Sequence, residues 1–222
     1  MHGGTDVNGL VFHFDDMRRE VNDFSALAKR FLDPSAESCL KVFADQLLII
    51  RGKAPLASKQ PGDSSKEYRW EIPADRALRT KPSRGYERGK RKGGPEIYAR
   101  ITSVWVIAPE PKKSNRDVPR RFRLIGNASV RVEWVDLSDQ KPMGSWRMEI
   151  ADDASPGTFF HAQILGDHAD PPFPKSITVP RLPCIAPTPM AVLEFVLGEL
   201  FQDEWEKHSI NPSPHMESWR KI

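Results

Sequence analysis

The sequence predicts a mixed α+β fold in which a four-stranded antiparallel meander packs against N-terminal helices and a C-terminal amphipathic helix. Three observations carry that expectation. From Arg120 onward apolar and charged residues alternate, with Phe122, Leu124, Ala128, Val130, Val132 and Trp134 on one face and Arg121, Arg123, Arg131 and Glu133 on the other, which is the two-residue period of a half-buried strand. Residues 16–32 and 189–207 instead space their apolar side chains three and four apart, as amphipathic helices do. Between such segments lie runs rich in Gly, Pro, Ser and Asp, the punctuation of long loops.

In chain order, Leu10–Phe14 reads either as a short strand or as an apolar lead-in to the first helix. Over 16–32, Met17, Val21, Phe24, Leu27, Ala28 and Phe31 form one helical face, and Pro34 ends it. A second helix is expected from Ser35, whose hydroxyl suits the N-cap, through Leu40, Phe43, Ala44, Leu47 and Leu48 to Ile50, with Gly52 as its stop. Residues 53–95 change character and read as a basic, flexible insertion holding one short strand, Tyr68–Ile72. The meander follows at about 96–108, 120–135, 145–151 and 159–165; the second half of its first strand is apolar on both faces, as in a central strand covered from each side. Trp146, Met148 and Ile150 repeat the alternation. The loops between these strands are longer than two-residue hairpins, so side-chain packing has to set the register.

Pro171, Pro172, Pro174, Pro180, Pro183 and Pro187 exclude a long regular element before the last helix, although Ile177–Val179 reads as an edge strand. Thr188 and Pro189 then place a capping hydroxyl and an N1 proline at a helix start. Met190, Leu193, Val196, Leu197, Leu200, Phe201 and Trp205 line its apolar stripe, where Gly198 is expected to allow close packing on the sheet. The tail 209–222 reads as loose.

At 222 residues the chain is within the range of a single domain with its own core. Its net charge of +3, from 33 basic against 30 acidic residues, does not make it a polycation, so attraction to nucleic acid would have to be local. Cys39 and Cys184 lie far apart in sequence and belong to no short-spaced ligand or redox pair; they read as free thiols of a reducing cytoplasm. No apolar run is long enough to cross a bilayer, and no membrane role is expected. A Gly-rich phosphate loop, a dinucleotide fingerprint and a serine-hydrolase elbow are all missing from the sequence, and no cofactor or metal is expected.

Three candidate functions remain. The first is a non-catalytic binding or assembly protein that meets a protein partner or a second copy through the polar face of the sheet, where Arg131, Glu133, Arg147, Glu149, His161 and Gln163 fall together. The second is a basic-arm nucleic-acid accessory protein using Arg76, Arg79, Lys81, Arg84, Arg88, Lys90, Arg91 and Lys92, which stand against Glu87 alone in that tract. The third is an enzyme built on His161, with His168 and an aspartate, or on Cys184 as a reactive thiol ahead of a helix. Asp152 and Asp153, with only Glu149 as a strand-borne companion, read as turn residues rather than a Mg²⁺ site.

The order of parts, helices first, then a meander, then a proline-rich crossover with Cys184, then a helix, superficially resembles the ubiquitin-conjugating fold. That resemblance implies thiol-transfer chemistry at Cys184. The family's His-Pro-Asn stretch has no counterpart here; the nearest segment is Asp170-Pro171-Pro172-Phe173-Pro174.

Overall fold

The computed structural model describes residues 10–53, 67–86, 93–110, 119–150, 160–165, 181–183 and 188–210. The elements in chain order are β1 (Val11–His13), α1 (Phe14–Ala28) with a 3₁₀ turn at Lys29–Phe31, α2 (Pro34–Lys53), β2 (Tyr68–Ile72), β3 (Leu78–Arg79), β4 (Ile97–Pro109), β5 (Arg121–Asp136), β6 (Pro142–Ile150), β7 (Phe160–Leu165), β8 (Arg181–Pro183), α3 (Pro189–Phe201) and α4 (Asp203–Ile210).

The expected four-stranded meander is corrected to a larger, curled half-barrel sheet: seven strands of three or more residues and the two-residue β3, all antiparallel. The order across the sheet is β2-β4-β5-β6-β7-β8. β2 and β3 both pair with β4, and β1 pairs with Arg121–Arg123 of β5, beyond the stretch of β5 that β6 occupies. β1 and β3 are too short for a clear alternation, and the partners of β1, β2 and β3 are all distant in sequence. Register shifts in the β4–β5 ladder between Trp105 and Ile107 and in the β5–β6 ladder between Trp134 and Val135 add local bend and twist, which contributes to the curl.

Packing explains why the segment after residue 53 carries two strands. Trp70 on β2 is fully buried, stacks on Phe43 of α2 at 4.3 Å and 8°, donates its indole N–H to the Phe43 carbonyl at 2.8 Å, and meets Trp105 edge-on at 5.5 Å. Leu78 and Thr80, farther along the same segment, are also buried, with the Thr80 hydroxyl accepting the Ala99 N–H. The Gln46 amide pairs with both backbone groups of Glu71, covering part of the exposed edge of β2. The core joins these residues to Phe14, Phe24, Phe31, Leu40 and Leu47 from the first helices and to Leu193, Val196 and Leu200 from α3.

The helices differ from the sequence reading at Asp33, Gln202 and Gly198. Asp33, not Ser35, closes the start of α2: its carboxylate accepts the Ser35 N–H at 2.9 Å and the Ser35 hydroxyl at 2.6 Å, and Pro34 takes the first helical position. Those Ser35 hydrogen bonds hold the Asp33 carboxyl below its ordinary value. Second, the expected 189–207 helix is broken at Gln202, whose φ of 42° lies in the left-handed region and turns the chain into α4. Third, Gly198 does not serve close sheet packing, because a Cβ there would meet only Trp205 Cδ1 at an ordinary 3.8 Å. Gly85 is the close approach instead: a Cβ at that position would lie 2.8 Å from the Leu200 carbonyl and 3.1 Å from Phe201 Cα.

Thr188 caps α3 as expected, accepting the Ala191 N–H at 3.2 Å. Its hydroxyl hydrogen goes to Glu20 Oε1, tying the helix start to a carboxyl that is 0% exposed on α1.

Candidate functional site

Alternation along β4, β5 and β6 delivers a charged outer face opposite the helices. Arg131 stands directly across from Thr102 on one side and Arg147 on the other, and the same row continues through Gln163 to Arg181. One row along, Arg100 faces Glu133; on the other flank Ser129 faces Glu149, which faces His161. The structure therefore places Arg131, Glu133, Arg147 and Glu149 on one face, with His161 and Gln163 at matching register positions. The side chains of His161 and Gln163 lie outside the described residues.

Two guanidiniums directly opposite each other across strands repel, and a carboxylate two residues along each strand offsets that. Arg131 reaches Glu133 Oε1 at 3.2 Å, and Arg147 Nε reaches Glu149 at 2.9 Å. Glu133 also takes Arg100 at 2.5 Å through Nη2 and 2.6 Å through Nε, so a single carboxylate orders two guanidiniums from adjacent strands. The arginines keep 35%, 39% and 37% of their side-chain surface at Arg100, Arg131 and Arg147, whereas Glu133 and Glu149 keep 19% and 15%. The carboxylates sit low and the cations stand above them. The outward surface is consequently cationic, and its donors are held in place by neighbours rather than free to sample rotamers.

The face is not polar throughout. Tyr98 and Val135 are buried at one end, where the Tyr98 hydroxyl donates to Gln140 Oε1 at 2.8 Å. Met143 is half-exposed on β6.

The basic tract is divided among different surroundings. Arg76 and Arg79 line a cleft of about 440 Å³ between α2 and the 73–79 segment, with Cys39, Gln46, Glu71 and Arg100 also on its walls. The Arg79 guanidinium lies 5.9 Å from the Tyr98 ring centroid. Lys81 lines a separate cleft with Arg30 and Glu37, and Arg84 is exposed next to Gly85. Arg88, Lys90, Arg91 and Lys92 lie outside the described residues. So do Asp152, Asp153, His168 and Cys184, as does the expected strand at 177–179.

Cys39 is half-buried, and its thiol contacts the Arg76 carbonyl at 3.4 Å. Burial pushes that thiol above its ordinary pKa, which disfavours the reactive thiolate. Among the described residues no group of three His, Cys, Asp or Glu side chains converges to hold a metal, and no described helix is long and apolar enough to cross a membrane.

The residue types of the ladder are visible in the sequence, where Arg100 stands only as one position of a strand. Its place opposite Glu133 follows from register alone. No family model, curated protein or solved structure matches the chain.

Proposed function

We propose that the chain is a non-catalytic binding or assembly protein whose working surface is the outer face of β4–β6, and that the surface it meets is acidic. The observation that carries this reading is the arrangement of Arg100, Arg131 and Arg147 above two recessed carboxylates. Ordering the guanidiniums beforehand lowers the side-chain entropy lost when a carboxylate-bearing partner docks, and bidentate contacts to that partner supply orientation. The partner is another protein or a second copy of this chain. Copurification under native conditions, followed by light scattering of the recovered species, tests the reading. A stoichiometric complex or homo-oligomer is expected, weakened at least about tenfold in the Arg131→Ala, Arg147→Ala double variant. A monomer that recovers no partner, or a complex indifferent to both substitutions, overturns it.

A basic-arm nucleic-acid role is the second reading, favoured by the exposed Arg84 from which the sequence runs on to Arg88, Lys90, Arg91 and Lys92. Its test has to neutralise those side chains rather than delete 76–92, because that deletion would remove the buried Leu78 and Thr80. Single-stranded oligonucleotide affinity that falls steeply with salt and drops in the neutralised variant supports it; equal affinity and salt slope for both proteins refutes it.

A further inference from the structure

On the opposite side of the sheet, where α3 leaves its surface, four aromatic residues among those described line an open cleft of about 380 Å³. Trp134 and Trp146 come from adjacent strands, Phe195 from α3, and Tyr86 from the loop that lies over the end of α3. Trp134 follows Glu133 and Trp146 precedes Arg147, so strand alternation puts this cleft on the face away from the arginine ladder. The indoles of Trp134 and Trp146 are 6.3 Å apart at 52°, and Phe195 meets Trp146 at 5.4 Å and 80°. The rings are therefore tilted walls rather than one stack. Tyr86, Trp134 and Trp146 are only partly buried, and Phe195 keeps 48% of its surface exposed.

Among the described residues the charge on the rim has one sign. Glu199 is the charged residue among the described ones that line the cleft, and its carboxylate has no ion-pair partner among the described residues. It sits in the last turn of α3, the negative end of a helix that carries no basic residue in that turn. Gln202 lines the same rim and donates its amide to the carbonyls of Glu199 at 3.3 Å and Tyr86 at 3.5 Å, bracing the loop against the helix end. Among the described lining residues there is no lysine or arginine. Glu199 repels an anion, and a neutral apolar group gains nothing from the carboxylate.

We propose that this cleft binds a methylated ammonium group. The electron-rich faces of Trp and Tyr attract a cation, and methylation matters because a bare ammonium is strongly hydrated whereas a methylated one presents polarised methyl groups to the rings with little water to lose. Glu199 and the helix end supply the countercharge. The volume lies within the range of small-ligand sites and exceeds what a lone ammonium fills, leaving room for an attached chain.

The same headgroup occurs on free choline-like molecules and on trimethyllysine in proteins, and one titration separates the sources. The full-length protein is titrated with choline, with a short peptide carrying trimethyllysine, and with 3,3-dimethylbutanol, the neutral isostere of choline, while the indole N–H signals of Trp134 and Trp146 are followed by NMR at constant ionic strength. Saturable shifts with choline, at least about tenfold weaker with the neutral isostere, are expected. A peptide binding about tenfold tighter than choline identifies a protein-borne ligand, and equal or weaker peptide binding identifies a free one. Glu199→Gln and Phe195→Ala, both at exposed positions and so compatible with folding, should each weaken the cation about fivefold, with Glu199→Gln sparing the neutral isostere. Equal binding of choline and its isostere, an absence of saturable shifts, or unchanged affinity in Glu199→Gln overturns the proposal.

Discussion

Glu20 makes stability depend on pH, and a single substitution removes that dependence. The carboxyl is 0% exposed; one oxygen accepts the Thr188 hydroxyl, and the other, Oε2, has no hydrogen-bond partner among the described residues. Burial raises its pKa from 4.5 to about 7, with the Thr188 hydrogen bond pulling the other way. Between those two values the native state keeps a proton that the unfolded chain has already released. Stability from this group is thus fully present below pH 4.5, falls as pH rises, and is lost once pH passes about 7. At about 1.36 kcal/mol for each pH unit, the interval is worth about 3 kcal/mol, a large share of an ordinary domain's stability. Glu20→Gln keeps an oxygen acceptor for Thr188 and cannot ionise. Urea unfolding of both proteins, followed by far-UV circular dichroism from about pH 4.5 to about pH 8, should show the variant gaining about 3 kcal/mol on wild type across that range. A difference between the two that stays constant with pH refutes the reasoning, since it would mean that Glu20 titrates alike in both states.

Trp70→Phe removes the indole N–H that satisfies the Phe43 carbonyl and shrinks a fully buried ring; a loss of about 1–3 kcal/mol in urea unfolding is expected. The two glycines near the end of α3 should respond with opposite signs. Gly85→Ala forces a Cβ against the backbone of Leu200 and Phe201 and should cost about 1–3 kcal/mol, while Gly198→Ala has room and should gain up to about 1 kcal/mol from helix propensity; thermal melts of both variants check the pair. Glu133→Gln takes the shared carboxylate from Arg100 and Arg131. Because both guanidiniums stay in contact with solvent, its cost should be about 1 kcal/mol at low salt and shrink in about 1 M NaCl, which unfolding curves at the two salt levels will show.

The central strands were legible because their patterns are long. Arg121–Trp134 and Ile97–Ile107 each repeat the two-residue period many times, and burial of Phe122, Leu124, Ala128, Val130 and Val132 follows that period. The extent of the sheet was not legible, since Val11–His13, Leu78–Arg79 and Arg181–Pro183 are too short to show a period and owe their conformation to partners far away in sequence. Trp70 illustrates the same limit. Its strand was readable from Tyr68, Trp70 and Ile72, but its stacking between α2 and β4 depends on Phe43 and Trp105 arriving from either side. At the start of α2, Asp33 and Ser35 are both competent caps by composition, and only the geometry of Pro34 decides between them.

The polar face could be proposed from alternation, yet its chemistry came from register. That Arg131 opposes Arg147, while Glu133 serves Arg100 as well as Arg131, is a cross-strand fact that no local spacing encodes. The aromatic cleft was further from reach, because Tyr86, Trp134, Trp146 and Phe195 each read singly as ordinary core or loop residues until α3 is placed across the sheet.

Site-specific photo-crosslinking tests the proposed binding surface most directly. A photoreactive side chain in place of Thr102, the residue in register with Arg131, should give one discrete adduct of defined mass, to a partner protein or to a second copy of the chain. The yield should fall at least about tenfold when Arg131 and Arg147 are both changed to alanine. A yield at Thr102 no greater than that of the same probe at the exposed Lys41 on α2, or one unaffected by loss of the two arginines, contradicts the account.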